Sequence, residues 1–103
     1  MGRVIVRLSR ARLAPASYDE CVGILSDRDH GLRAALAQLP GLLSYHVAVD
    51  RESSTMVNVS HWDTLEHAQA MATLPEMLAW RAAFEPLGAV FDPIVNYVAL
   101  WSV

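Results

Sequence analysis

The segment MVNVSHW (56–62) carries the side chains of this 103-residue chain that are best suited to chemistry. Its alternating character predicts a β-strand, whose side chains point to opposite faces in turn. One face carries the aliphatic residues Val57 and Val59. The other face mixes polar with apolar side chains, namely Met56, Asn58, Ser60 and Trp62. Such a mixed face suits neither water nor an ordinary core.

Asn58 and Trp62 together are able to hold an oxygen atom of a ligand. An asparagine amide donates and accepts hydrogen bonds, and a tryptophan indole donates one. A buried amide without a partner costs roughly 1–3 kcal/mol, so a buried Asn58 requires one. We therefore expect these residues, with Met56 and Ser60 beside them, to line an internal cavity. In the alternative, Asn58 satisfies a backbone group and Trp62 belongs to the core.

Arg81 is the second candidate for contact with a ligand oxygen. It lies between Trp80 and Phe84 on a segment with helical spacing, which favours a guanidinium that points into the cavity. An ion pair with Glu76 or Glu85 is the alternative.

His67 is the candidate proton acceptor. It falls on the first turn of a predicted helix, and its ordinary pKa of about 6.5 suits general-base catalysis near neutrality. An exposed histidine is the alternative. Arg7, in the first predicted strand, could also donate to a ligand oxygen, but we expect it to be solvated at a sheet edge.

Further side chains are candidates for the wall of the cavity. Five of them are aromatic residues or methionine, namely Tyr45, Met77, Trp80, Phe84 and Tyr97. Helical or strand spacing does not separate a cavity wall from ordinary core packing. His46 lies beside Asn58 in one register of the predicted hairpin, and a shift of one residue turns it to the other face.

Composition narrows the class of protein. The formal net charge of −3 argues against a nucleic-acid partner. Cys21 is the only cysteine, which excludes an intrachain disulfide and favours a reducing compartment. The four histidines show no metal-ligand spacing, so we expect neither a metal nor a cofactor. No signal peptide or membrane-spanning run is present, so we expect a cytoplasmic protein with no membrane contact.

The order of predicted elements indicates an α+β protein. Strands are predicted over 3–9, 42–49, 55–62 and 94–103. Capping-box patterns place one helix start at Ser17, with a kink or split near Gly31, and another at Asp63. The resulting β-α-β-β-α-β order is that of a ferredoxin-like fold with an antiparallel sheet, formed by residues 1–103 as a single domain.

The apolar content predicts a second subunit. Hydrophobic residues make up 53% of the chain, above the usual 45–50% or so. Helices cover one sheet face, and the other face, with Val57 and Val59, also needs cover. We expect a homodimer that packs sheet to sheet.

Three segments, LPGLLSYHV (39–47), VNVSHWDTLEHA (57–68) and LPEMLAWR (74–81), resemble the antibiotic-biosynthesis monooxygenase family of dimeric α+β barrels. The resemblance implies the ferredoxin-like fold and a dimer. In the cofactor-independent subgroup that oxidises anthrones, Asn58 and Trp62 match the family's spacing, and Arg81 falls near its arginine. His67 is a departure, because it stands roughly where that subgroup has a tyrosine.

The haem-degrading subgroup of the same family resembles this chain less. Trp80 stands where that subgroup needs its axial histidine, and Met71 stands where it has a second tryptophan. The resemblance therefore implies a cofactor-independent monooxygenase that oxidises a small aromatic substrate, such as an anthrone, polyketide or quinol, with O2. One alternative is a non-catalytic binder of an aromatic metabolite or haem. Another is an isomerase or cyclase that uses His67 or Arg81 for proton transfer.

Overall fold

A computed structural model describes residues 3–27 and 31–103 of the chain. Its strands are β1 (Ile5–Arg12), β2 (Leu42–Asp50), β3 (Thr55–Trp62), β4 (Val90–Phe91) and β5 (Val95–Val98). Its α-helices are α1 (Tyr18–Ser26), α2 (Leu32–Ala37), α3 (Leu65–Gln69) and α4 (Pro75–Ala82). Within these ranges, no helix has the length and apolar character needed to cross a membrane.

The strands form one antiparallel sheet in which β1 is central. The order runs β2-β3-β1, and both short C-terminal strands, β4 and β5, pair with the far side of β1. This arrangement confirms the predicted α+β, ferredoxin-like fold. The order also corrects the expectation for Arg7, because a residue in the middle of β1 lies inside the sheet and not at its edge.

The two faces of the sheet follow from the register. Arg7 lies opposite Ser60 and Ser9 lies opposite Asn58, so these four residues share one face. The helices cover this inner face. Val47 of β2 lies opposite Asn58, whereas His46 pairs with Val59, so His46 belongs to the outer face.

The core fills the space between the inner face and the helices. Trp62 and Phe84 are its largest fully buried side chains, and Met56 and Met71 are each 2% exposed. Cys21 of α1 is also buried in this layer. Alternation along β1 and β3 therefore places half of each strand in the core, as the sequence pattern predicts.

The last predicted strand, 94–103, is longer than the one that forms. β5 ends at Val98, which pairs with Ile5, the first residue of β1. Beyond it, the amide of Ala99 donates to the carbonyl of Val4 at 2.9 Å, and the Leu100 carbonyl accepts from the side chain of Arg3 at 3.1 Å. Trp101 consequently lies outside the sheet and is 80% exposed.

The helix starts are close to the predicted ones, but the caps differ. α1 begins directly after Ser17, whose hydroxyl makes no capping hydrogen bond. Thr64, and not Asp63, caps α3, because its Oγ1 accepts from the amide of His67 at 3.1 Å. The helical region around Gly31 is divided into α1 and α2, while residues 28–30 lie outside the described residues.

Candidate active site

A small cavity with a mixed wall lies between the inner sheet face and α4. Its polar side is built by three neighbouring strands, which contribute Arg7, Ser9, Tyr45, Asn58 and Ser60. Its other side is mainly apolar and consists of Met71, Ala72, Met77, Leu78, Arg81 and Ile94. The cavity volume is about 20 Å³, enough for one water-sized group. We call it the polar pocket.

Two buried oxygens of the polar pocket have no partner. In residues 3–27 and 31–103, neither Asn58 Oδ1 nor the Tyr45 hydroxyl makes a hydrogen bond. Buried polar groups in proteins are nearly always bonded, since leaving one unbonded costs roughly 1–3 kcal/mol. Both groups belong to the wall of the same cavity. A polar ligand in this pocket would satisfy them.

Trp62 lies behind the polar pocket and not in its wall. Its side chain is fully buried, and its Nε1 donates to Ser60 Oγ at 2.8 Å. Ser60 lines the pocket, and a hydroxyl that accepts one bond is still able to donate its proton. The indole therefore orients Ser60, and any contact with a ligand is made by Ser60.

Arg7 belongs to the site, whereas the sequence predicted a solvated residue at a sheet edge. It is only 7% exposed and lies in the pocket wall. Burial lowers the pKa of its guanidinium, Tyr45 raises that pKa, and the positive charge of Arg81 lowers it. A signal existed in the sequence, because Arg7 shares a strand face with Ile5 and Ala11. This signal did not predict burial of Arg7, because the central position of β1 depends on its pairing with distant strands.

Arg81 lies in the wall of the polar pocket. Its guanidinium carbon lies 4.4 Å from the ring centroid of Phe91, a cation–π contact. In the part of the chain that the structure describes, the alternative ion pair with Glu76 or Glu85 is not formed. The stacking on Phe91, which the sequence did not suggest, holds the guanidinium at the pocket.

Tyr45 presents a neutral hydroxyl to the pocket. Burial raises its pKa far above the ordinary value, and the charges of Arg7 and Arg81 act in the opposite direction. The hydroxyl consequently stays protonated near neutral pH and serves as a hydrogen-bond donor.

His67 lies away from the polar pocket. Its Nδ1 bonds to Asp63 Oδ1 at 2.7 Å at the start of α3, where both side chains are partly exposed. This bond holds the pKa of Asp63 below its ordinary value. The structure does not bring His67 to Asn58, so its predicted role as proton acceptor has no geometric support.

The remaining candidates divide between core, pocket and outer face. Met77 lines the polar pocket, whereas Met56 and Phe84 are core residues outside its wall. Trp80 packs edge-on against Phe84, with ring centroids 5.4 Å apart. Tyr97 pairs with Val6 on the outer face and is 50% exposed, so it does not line the pocket. The missed wall residues Ser9, Leu78 and Ile94 carried no distinctive sequence signal.

A second, larger cavity of about 570 Å³ adjoins the first, and Tyr45 lines both. Residues from α1, α2, β2 and α4 form its wall, including Leu25, Leu32, Leu36, Val47 and Trp80. Its volume lies in the usual range for a ligand pocket, about 300–1,000 Å³. Across the described ranges, no group of three or more His, Cys, Asp or Glu residues is placed to hold a metal ion.

The fold and the pocket define a class of protein, a ferredoxin-like α+β protein with a buried polar pocket between its sheet and its helices. Residues 27–83 match the family model described as antibiotic biosynthesis monooxygenase. The chain belongs to the antibiotic biosynthesis monooxygenase family. None of the curated proteins matches the sequence.

Several solved structures share this fold. A Chloroflexus aurantiacus protein assigned to the same family is 26% identical, with 97% of this chain and 96% of that chain covered and a TM-score of 0.66. SnoaB, a cofactor-independent oxygenase from Streptomyces nogalater, is 16% identical over 99% and 98% of the two chains, with a TM-score of 0.68. The ActVA-Orf6 monooxygenase of Streptomyces coelicolor, solved with the ligand nanaomycin D, is 16% identical over 98% and 91%, with a TM-score of 0.74.

Proposed function

We propose that the chain is a cofactor-independent monooxygenase that oxidises a small aromatic substrate, such as an anthrone, polyketide or quinol, with O2. The observation that carries this proposal is the pair of unpartnered buried oxygens, on Asn58 and Tyr45, in one pocket. Family membership supports the reaction class, as do the names of the oxygenases that share the fold.

In this reaction the substrate itself is the reductant. An acidic anthrone or quinol loses a proton, and the resulting anion transfers an electron to O2. For an anthrone, the overall reaction consumes one O2 and yields one anthraquinone and one water. The protein supplies a water-poor pocket and donors that stabilise the charged oxygen of the substrate. Ser60 and Tyr45 offer hydroxyl donors here, and Asn58 would donate through its Nδ2 amide, because its Oδ1 only accepts.

The size of the polar pocket determines how a substrate enters. A volume of about 20 Å³ admits an oxygen atom but not an aromatic ring. Met71, Met77 and Leu78 form the side of the pocket opposite the polar residues. Methionine side chains rearrange readily, so we expect rotation of Met71 and Met77 to open the space for the ring.

A homodimer is part of the proposal. The outer face of the sheet carries a row of apolar side chains, including Val57, Val59 and Tyr97. A second copy packed on this face would remove them from water.

Oxygen consumption tests the proposed reaction. The purified protein is mixed with a panel of anthrones and hydroquinones in an oxygen electrode, and quinone formation is followed by absorbance. We expect O2 uptake well above the rate in buffer, matched mole for mole by quinone from the anthrones. Uptake at the buffer rate over the whole panel, with binding of the same compounds intact, would contradict a monooxygenase and leave a binder without turnover.

A further inference from the structure

The polar pocket has an excess of positive charge. Arg7 and Arg81 both line it. The charge of each arginine lowers the pKa of Tyr45, and the charge of Arg81 also lowers the pKa of Arg7. The described ion pairs lie elsewhere, between Arg51 and Asp19 and between His67 and Asp63. No carboxylate of residues 3–27 or 31–103 stands within ion-pair distance of either pocket arginine.

A buried guanidinium without a counter-charge is costly. Removal of a charge from water costs several kcal/mol unless an opposite charge or good hydrogen bonds compensate for it. Arg7 is 7% exposed, in the middle of a central strand, in a chain that has 11 acidic residues. Its neighbours in the pocket are neutral, namely Ser9, Tyr45, Asn58 and Ser60. A bound anion would supply the missing counter-charge.

We infer that the polar pocket binds its ligand as an anion, with Arg7 contacting an ionised oxygen, carboxylate or phenolate, on a small aromatic compound. This inference rests on the proposed function only in taking the polar pocket as the substrate site. It adds a binding residue, Arg7, and a substrate class, aromatic compounds that carry a negative charge when bound.

Two hydroxyl groups of the pocket fit an anion, and Asn58 fits one only through its Nδ2 amide, because its Oδ1 is an acceptor. The Tyr45 hydroxyl and the Ser60 hydroxyl are donors, and guanidinium groups make the strongest hydrogen bonds to carboxylate and phenolate oxygens. The pocket has room for an oxygen at its polar end, with the methionine side chains facing the ring. Two guanidinium groups also lower the pKa of a bound phenol or enol, so a reacting substrate ionises without a side-chain base in the wall.

Binding of matched anionic and neutral probes tests this. The carboxylate arm compares 2-naphthoate with 2-naphthamide, and the phenolate arm compares 2,4-dinitrophenolate with 2,4-dinitroanisole. Affinities are measured by titration calorimetry on the full chain at neutral pH. We expect at least tenfold tighter binding of the anion in one arm, and that arm identifies the ionised group.

Variants of two arginines of β1 test whether Arg7 causes the preference for the anionic probe. Arg7→Met removes the charge and keeps the length of the side chain, and Arg12→Met makes the same change at an exposed position. We expect Arg7→Met to reduce the preference for the anion to less than twofold, and Arg12→Met to retain it. Arg7→Met should melt at or above the temperature of the parent, because an apolar isostere relieves the desolvation of the charge.

Three results would overturn the inference. The first is equal affinity of the parent protein for the charged and neutral members of both pairs. This result needs no variant, and it would not contradict the proposed reaction. An anion preference that survives Arg7→Met, together with a lower melting temperature, would make Arg7 a structural residue. Failure of all four probes to bind would remove the polar pocket itself as the ligand site.

Discussion

Asn58 and Tyr45 each have a buried oxygen on the wall of one cavity, and neither oxygen has a partner among residues 3–27 and 31–103. A chain that needed these positions only for packing would place apolar residues there, because replacing both partners of a buried polar contact by apolar groups is often neutral. The two residues come from neighbouring strands and converge on a volume suited to one oxygen atom. This convergence favours the proposed binding site over an imperfect core.

Replacement of Asn58 distinguishes a role in substrate binding from a role in core packing. Asn58→Leu keeps the approximate size of the side chain and removes the amide. We expect a loss of about 10²–10³ in rate where the amide serves the transition state, with thermal stability equal or higher. Activity is measured by O2 uptake and stability by thermal unfolding.

Met56→Leu is the matched control, since Met56 lies on the same strand face but outside the pocket wall. This variant should keep the activity of the parent. An Asn58→Leu protein that unfolds earlier and reacts as fast as the parent would show that the amide only supports the fold.

The bond from Trp62 to Ser60 predicts that these two residues act as one unit. Trp62→Phe removes the donor, and Ser60→Ala removes both the acceptor and the hydroxyl that faces the pocket. We expect the double variant to lose little more activity than Ser60→Ala alone, because the indole acts through Ser60. Additive losses in a double-mutant cycle would instead mean that the indole reaches the ligand directly.

At the scale of elements, local patterns predicted the sheet faces well. Alternation in β3 placed Met56 and Asn58 on one face and Val57 and Val59 on the other, as the structure has them. The ferredoxin-like order followed from the sequence of strand and helix signals. These features depend on neighbours within a few residues, which a single sequence displays.

Features that depend on distant pairing were not predictable in the same way. Arg7 is buried because β1 pairs with β3 on one side and with β5 on the other. Tyr97 faces outward because Asn96, one residue earlier, lies opposite Arg7. His67 is a different case, because Asp63, four residues earlier, holds it at the helix start and away from the pocket. A one-residue change of register reverses each strand assignment.

The loop before β2 depends on a glycine. Gly41 has φ of +81°, and a Cβ there would overlap both Asp63 Oδ1 and His67 Nδ1. Gly41→Ala should therefore lower the free energy of unfolding by on the order of 1–3 kcal/mol, through backbone strain and disruption of the Asp63–His67 contact. Chemical denaturation measures this.

Gly23, inside α1, is the matched control because the space around its Cβ position is open. Gly23→Ala should raise the free energy of unfolding by roughly 0.5–1 kcal/mol, the usual gain of alanine over glycine in a helix. A Gly41→Ala variant as stable as Gly23→Ala would refute the assignment of strain to this loop.

The molecule is slightly extended for its length and exposes large apolar side chains. Its radius of gyration is 14.0 Å, against about 13 Å for a compact chain of 100 residues. The C-terminal segment carries Leu100, 78% exposed, and Trp101, 80% exposed. Together with the outer face of the sheet, this segment forms a surface that a second copy would cover.

Charge placed on the outer face tests the proposed dimer. Val59 lies in the middle of β3 on that face, and burial of a valine against a partner contributes roughly 1.5–3 kcal/mol. Val59→Lys places one charge from each subunit in the interface, so we expect a monomer by light scattering at micromolar concentration and a lower melting temperature. Leu65→Lys makes the same change at an exposed residue of α3 on the helical side, and it should leave the dimer intact. If the unmodified protein scatters as a monomer and its melting temperature does not fall on dilution, the outer face is solvent-exposed in the native state, and its apolar side chains need another explanation.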